Sequence, residues 1–340
     1  MGVTRQIKVG ILTAPHIEFE QKEHTFVLKN VRIGIGFHWD RHEDQEFAGS
    51  LDIRNNADGT QTAINTIDLE DYLCSVISSE MNANSPMELL KAHAVISRSW
   101  ALRAMQKPNH EGFDVCADDH CQRYEGLRRM NERAVEAVNA TRGQVLMFGD
   151  EICDCRYYKC CGGKTEVWRT CWEDIDVPYI QSVQCDYCKS PSPKILRLVL
   201  NDYDQETKDF RDWKVSYKDE ELDTIIAEKS GIDFGHITAL DPLHRGASGR
   251  IDSLRIVGSK HTEIIGKELK IRLWLSKSCL YSSWFEVAHK NSVWTLNGHG
   301  WGHGAGLCQI GAAVMAAEGH PYEEILSYYY VGSQLSTPAK

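Results

Sequence analysis

DLEDYLCSVISSEM, residues 68 to 81, and SPMELLKAHAVISRSWALRAM, residues 85 to 105, are the stretch whose reading decides the fold. With Asp68 as cap, the first segment places Leu69, Tyr72, Leu73, Val76 and Ile77 on the stripe of an amphipathic helix. Position 80 continues that stripe, and it is a glutamate. A carboxyl facing the interior loses solvation and holds its proton to higher pH, as general-acid work requires. The bland alternative ends the helix near Ile77 and leaves Glu80 solvated. The second segment opens with Ser85, Pro86 and Glu88, a capping-box start. Its apolar positions are Met87, Leu90, Ala94, Ala101 and Met105, and the helix is expected to stop before Pro108. Arg98 fills the missing place in that stripe. Two inward charges of opposite sign imply either a buried ion pair or a cleft offering an acid beside a cation.

The 340 residues suffice for one large core or two modest ones. Hydrophobic residues make up 42% and charged ones 25%, as in ordinary globular proteins. A net charge of −10 argues against a nucleic-acid surface, which needs clustered Lys and Arg. No stretch has the length and apolarity of a membrane span. The opening MGVTRQIKVGIL has too short an apolar run for a signal peptide, so location has to be inferred from substrate.

Outward from the helices, the first 67 residues read as strands: IKVGIL, HTFVL, VRIGIGF, LDIRN and TAINTI, the last two flanking an Asp58-Gly59 turn. Residues 68–188 hold the two helices, a polar loop from about 107 to 126, a helix from Asn131 to Thr141 ending at Gly143, and a hairpin across Gly149-Asp150. Residues 189–249 are more polar and read as a small inserted subdomain with a helix near Glu220–Lys229 and the loop HRGASGR. Residues 250–340 supply IDSLRIVG, a helix near Gly266–Leu275, WFEVA, a glycine-rich segment and two further helices. Strands and helices alternate without a βαβ rhythm, which predicts an α+β fold: a mixed strand and helix unit with a substrate cleft.

Twelve cysteines are many, and they cluster. The loop HEGFDVCADDHC contributes His110, Cys116, His120 and Cys121, the thiolate and imidazole set that a structural zinc prefers. A Cys116–Cys121 disulfide and free thiols are the competing readings. Four protein ligands would fix the loop and leave no position to activate water. Cys153, Cys155, Cys160, Cys161, Cys171, Cys185 and Cys188 form a second group whose bonding the pattern leaves open: Cys185 and Cys188 with Cys171 suit a second metal or disulfides, and Cys161 beside Gly162-Gly163 suits a nucleophile or an inert buried thiol.

Gly298-His299-Gly300-Trp301-Gly302-His303-Gly304-Ala305-Gly306 has glycine at every second position. An extended chain would put His299, Trp301 and His303 on one face, suited to a sugar ring, with bare backbone on the other. So many glycines imply that another backbone or a ligand approaches closely. A tight turn against the core is the alternative, and a metal site on the two imidazoles a weaker one.

These segments together resemble the stage II sporulation protein D family, which includes the amidase enhancers. The matches run in order: the two helices, DVCADDHCQRYEG, CCGGKTE with PYIQSVQC, SGRIDSLRIVG with GKELKIRLWL and SSWFEV, then GHGWGHGAGLCQIGAAVMAAEGHPYEEILSYYY. The resemblance implies a lytic transglycosylase acting on peptidoglycan glycan strands stripped of stem peptides, alongside an N-acetylmuramoyl-L-alanine amidase and outside the cytoplasmic membrane. It implies Glu80 as catalytic acid, Arg98 as its neighbouring arginine, and zinc on His110, Cys116, His120 and Cys121. Departures stand at His93, where glutamine is usual, at Tyr158, Cys160 and Cys161, and at Cys308-Gln309-Ile310. Gln122, Tyr124, Lys164, Trp301, His303 and Gln309 are the candidate cleft residues. In the expected chemistry Glu80 protonates the glycosidic oxygen and then serves as base on the muramic C6 hydroxyl, so one carboxylate suffices where hydrolytic glycosidases use two. The rival readings are a glycan-binding module that stimulates an amidase without cutting, and a zinc hydrolase built on the 110–121 loop.

Overall fold

A computed structural model describes residues 5–34, 41–82, 84–107, 109–118, 120–189, 191–200 and 211–337. Helix α1 (Leu69–Glu80) starts where the sequence puts it: the Asp68 carboxylate accepts from the Glu70 N–H, and Leu69, Tyr72, Leu73, Val76 and Ile77 are all buried. The helix runs to Glu80 and does not stop at Ile77.

Helix α2 (Met87–Gln106) ends at Gln106 with Lys107 as its cap; Pro108, expected to stop it, lies outside the described residues. Its capping box does not form. The Ser85 hydroxyl donates to the Leu198 carbonyl, and Glu88 instead bonds Lys91 and the Tyr322 N–H. Nor is the helix amphipathic: every residue from Leu89 to Leu102 except Lys91 is buried. Small side chains at Ala92, Ala94, Ser97, Ser99 and Ala101 let neighbours close in on all sides, the condition of a central helix. Ser99 shows how polar positions are tolerated there, donating to Val95 and accepting from the Leu146 N–H.

Around these helices lie small sheets. Ser50–Asn55, Gln61–Asp68 and Gln6–Ala14 form an antiparallel ladder, to which Val115–Cys116 adds in parallel. The Asp58-Gly59 turn closes the predicted hairpin, with Asn55 opposite Gln61. HTFVL and the start of VRIGIGF form one bulged strand, Thr25–Ile33, and the last three residues of VRIGIGF lie outside the described residues. It pairs with Arg41–Ala48, a strand whose charged sequence concealed the inward Gln45 and Phe47. Phe26, Phe47, Tyr124 and Tyr72 follow one another with ring centroids 5.1–5.5 Å apart, the first pair stacked and the others tilted, and carry this sheet onto α1. Helix α3 (Glu132–Ala140) is capped by Asn131 and ends before Gly143, as read from the sequence. The hairpin at Gly149-Asp150 is short: Val145–Phe148 pairs with Glu151–Ile152, whereas Tyr157–Tyr158 leaves it to pair in parallel with Leu307–Cys308.

A second hydrophobic cluster draws on residues from Trp213 to Leu296. Two three-stranded sheets build it, Asp212–Lys218, Val293–His299 and Phe285–Lys290, and Ile237–Arg245, Ile251–Gly258 and Thr262–Ile265, with helices Asp219–Ser230 and Glu268–Trp274. The division at residue 249 falls in the turn between two paired strands, because the loop read in HRGASGR is the connection of a hairpin whose first strand ends at Arg245 and whose second begins at Ile251. The result is an α+β fold with two cores.

Leu254, fully buried in the second core, and Leu243, 45% exposed on the neighbouring strand, give a direct contrast. Leu254→Ala should cost about 2–5 kcal/mol in urea unfolding, and Leu243→Ala about 0.5 kcal/mol or less. Equal costs would mean that this cluster is not packed.

Candidate active site and metal-ligand cluster

Glu80 ends α1 half-buried, at a junction of three segments distant in sequence. Its Oε1 accepts from the Arg123 N–H at 3.1 Å and from the Tyr157 hydroxyl at 3.0 Å. Burial first, and then the Glu80 charge, hold the Tyr157 phenol well above its usual pKa, so it stays a donor. The Tyr157 ring lies 4.4 Å, edge to face, from His93, which is fully buried in α2. His93 contacts the Ser97 hydroxyl at 3.2 Å through Nδ1 and the Gln309 amide nitrogen at 3.1 Å through Nε2. With an amide N–H facing Nε2, a neutral ring accepts there and carries its proton on Nδ1. Burial, aided by the nearby Lys159 charge, pushes His93 down to about 3. Gln122 belongs to the same buried layer: it accepts from the Tyr72 hydroxyl at 3.1 Å and donates to the Ser97 carbonyl at 3.4 Å.

The other residues singled out by sequence are spread more widely. Arg98 is fully buried on Glu70, with Nε to Oε1 at 2.9 Å and Nη2 to Oε2 at 2.7 Å, and it also donates to the carbonyls of Ala94, Val138 and Gln144. Neither reading of the two inward charges is met as stated: Arg98 does lie in a buried ion pair, but with Glu70, at the opposite end of α1 from Glu80. Tyr124 is a core residue whose hydroxyl donates to Asn65 at 2.7 Å. Lys164 stands half-exposed on a bridge to Gln184.

The glycine segment is not extended beyond His299. Gly300, Gly302, Gly304 and Gly306 all have positive φ, so the chain coils and its side chains diverge. His299 bonds Asp212, Trp301 packs edge-on against Tyr281 at 5.4 Å, and His303 lies between Tyr158 and Trp172. The expected single face of His299, Trp301 and His303 is therefore not formed. Close approach of a backbone and of a buried side chain is the reason for the glycines: a Cβ on Gly300 would lie 2.8 Å from the Cys160 carbonyl oxygen, and one on Gly304 2.5 Å from the Arg250 guanidinium carbon. His303 donates from Nε2 to the Tyr157 carbonyl, while its Nδ1 accepts from the Ala305 N–H. Burial and the charges of Arg156, Arg272 and Arg250 keep it neutral. It positions Tyr157 and has no ring nitrogen to spare. Trp301 pairs with Cys160 through both backbone groups, so Tyr157–Cys160 connects Glu80 at one end with the indole at the other. Lys159 lies 6.0 Å from that indole.

His110, Cys116, His120 and Cys121 do converge: their donor atoms all lie within 4.8 Å of one another. Cys121 Sγ is 3.2 Å from His110 Nε2 and 3.8 Å from His120 Nδ1. The Cys121 thiol, donating to Cys116, pushes Cys116 down to about 4, and the bond from His120 to Cys116 raises the His120 pKa. A tetrahedral ion with bonds of 2.0–2.3 Å requires donors about 3.3–3.8 Å apart, which this set approaches. The loop is anchored by Val115–Cys116 on strand Gln6–Ala14, and it leads directly through Gln122 to the Arg123 N–H on Glu80. No Cys116–Cys121 disulfide is formed. Cys161 is fully buried, out of a substrate's reach, and Cys171, grouped by spacing with Cys185 and Cys188, instead donates to the His303 carbonyl.

Tyr157, the Arg123 backbone and Glu70 were not found from sequence as site or pairing residues. Tyr157 sits in RYYKC with no flanking pattern to mark it, a backbone N–H carries no sequence signal, and Glu70 looks like a routine first-turn acid.

Residues 57–148 match the family model described as stage II sporulation protein, and residues 166–306 match a domain of unknown function (DUF8618). An uncharacterized protein of Brachyspira hyodysenteriae is 29% identical over 288 residues, covering 84% of this chain and 71% of that protein. The stage II sporulation protein D of Bacillus subtilis is 28% identical over 289 residues, covering 81% and 76%. The amidase enhancer of the same organism is 28% identical over 297 residues, 78% of this chain but only 40% of its own length. The chain thus carries a stage II sporulation protein domain, and the resemblance read from the sequence is borne out.

Two outcomes follow from the buried groups. Arg98→Ala should lower stability by about 3–5 kcal/mol by stranding the Glu70 charge. His93, with a folded pKa below its unfolded one, adds stability above the unfolded value near 6.5 that is lost as pH falls toward 3. Denaturation midpoints of wild type should therefore fall between pH 6.5 and 4 more steeply than those of His93→Gln. Parallel curves would place the imidazole in water.

Proposed function

We propose that this chain, a homologue of stage II sporulation protein D, is a lytic transglycosylase that cleaves the β-1,4 bond between N-acetylmuramic acid and N-acetylglucosamine in glycan strands of the cell envelope. The observation that carries the reading is Glu80, half-buried and held by two donors on one oxygen. An undissociated carboxyl accepts at its carbonyl oxygen and carries the proton on the other. The Arg123 N–H and the Tyr157 hydroxyl are thus compatible with both protonation states, which a group serving first as acid and then as base must visit.

In this mechanism the Glu80 proton passes to the glycosidic oxygen as the bond to muramic C1 breaks, and the N-acetylglucosamine unit leaves with its hydroxyl restored. The muramic C6 oxygen then bonds C1 while its proton passes to the Glu80 carboxylate, giving the 1,6-anhydro product and regenerating the acid. Lys159 and Trp301, joined to Tyr157 by one short segment, would line the sugar path. The role of Arg98 is to hold α1 in place, not to touch substrate. Zinc on His110, Cys116, His120 and Cys121 would fix the loop that presents the Arg123 N–H. All four ligands come from protein, so the zinc-hydrolase reading loses its open position.

A second reading takes its support from the amidase enhancer: a module that grips the glycan and stimulates an N-acetylmuramoyl-L-alanine amidase without cutting. Incubating purified denuded glycan with the protein and weighing the products separates the two. Anhydro-muramic ends should form with wild type, fall about 100-fold or more with Glu80→Gln, and fall roughly tenfold with Tyr157→Phe. Intact strands that co-sediment with wild type would instead support the enhancer. Cys116→Ser should release zinc bound at this loop, read by metal analysis, and lower the unfolding temperature.

A further inference from the structure

Away from Glu80, four thiols that the proposed chemistry does not use meet inside the protein. Cys161, Cys185, Cys188 and Cys308 are all fully buried, and their sulfurs lie within 4.8 Å of one another. They come from three places: the chain after strand Tyr157–Tyr158, the short turn Asp186–Cys188 with its cap Cys185, and the N-cap of helix Gln309–Ala317. Cys185 and Cys188 have the two-residue spacing common in structural metal sites.

The backbone around them is arranged for sulfur anions. Cys308 Sγ accepts the N–H of Gly311 at 3.4 Å and of Cys161 at 3.3 Å, and Cys161 Sγ accepts the N–H of Gly163 at 3.4 Å. The Tyr329 hydroxyl lies 3.3 Å from Cys185 Sγ. Gly311 is sterically tied to the cluster, since a Cβ there would lie 2.8 Å from Cys185 Sγ. Inert thiols in an apolar core need neither convergence nor N–H donors. A metal-bound thiolate uses both, because outer hydrogen bonds orient the ligand and spread its charge.

We infer that Cys161, Cys185, Cys188 and Cys308 form a second metal site, a closed tetrathiolate for a single zinc or iron ion, distinct from the His110–Cys121 loop. Four sulfurs in a tetrahedral set select these two ions. The thiols give up their protons on binding, and with no open position the ion does no chemistry on substrate. Its work is to tie three chain segments together behind the strand that carries Tyr157. The ion takes no part in the Glu80 mechanism, so the site stands whether or not the chain cuts glycan.

The test uses the full-length protein purified without chelator. Metal analysis should find two ions per chain, and X-ray absorption should show a mixed shell richer in sulfur than two Cys and two His alone provide. Cys116→Ser should retain one ion with an all-sulfur shell, and its cobalt-exchanged form should keep the intense visible bands of a tetrathiolate. A colourless native protein identifies zinc, and a coloured one with sulfur-to-iron charge-transfer bands in the visible identifies iron. Cys188→Ser should lose one ion and leave the His110–Cys121 ion bound. If that variant fails to fold, the wild-type stoichiometry and the Cys116→Ser spectrum still decide. One ion per chain in wild type that is lost in Cys116→Ser, or disulfides among these four cysteines in the native protein, would overturn the assignment.

Discussion

The pair between Arg98 and Glu70 sets the geometry on which the rest depends. Glu70 takes both guanidinium bonds and the Gly143 N–H, while Arg98 also reaches the carbonyls of Val138 and Gln144. One buried salt bridge therefore joins α1, α2, the end of α3 and the turn that follows. A lone buried charge would be several kcal/mol out of balance, so neither partner can leave without the other. Helix α1 is rigid over the ten residues between Glu70 and Glu80, about 15 Å. Fixing its first turn fixes where its last residue emerges.

At that far end the demands reverse. Glu80 is only half-buried, and the groups that hold it come from a loop and a two-residue strand, neither stable on its own. Each is secured by something behind it. The loop is held by its parallel pairing to strand Gln6–Ala14 and by the convergence of two imidazoles and two thiols. The strand is held by Leu307–Cys308 and by His303 bonding the Tyr157 carbonyl. Beneath both, the neutral imidazole of His93 and the amides of Gln122 and Gln309 form a polar layer whose hydrogen bonds offset its burial. The glycine coil completes the scaffold by letting Arg250, fully buried, reach the carbonyls of Gly302 and Cys161.

Much of this was legible in the residues. Asp68 and the Leu69–Ile77 stripe gave α1 its start and its buried face, and Asn131 and Gly143 bracketed α3, because caps and periodicity are local signals. The His and Cys loop was legible from ligand chemistry alone. Other features were not. Arg41–Ala48 hid as a strand because Arg41, His42, Glu43, Asp44 and Glu46 leave Phe47 and Ala48 as its only apolar residues, and α2 read as amphipathic because alanine and serine do not reveal whether they are buried. The coil of the glycine segment was misread as extended because a period of two fits both a strand and alternating left-handed glycines.

By itself the sequence determined which groups the protein owns and where its helices begin: a carboxylate at the end of α1, an arginine within α2, a loop of two histidines and two cysteines, a second crowd of cysteines and a run of glycines. Those are properties of single residues and their near neighbours. Only the tertiary structure decided the pairings. It gave Arg98 to Glu70 and Tyr157 to Glu80, turned His303 from the sugar face to a backbone carbonyl, and brought Cys308 to Cys161, Cys185 and Cys188 from more than a hundred residues further along. Such contacts depend on which surfaces of a packed core come to face each other, and spacing along a chain carries no record of that.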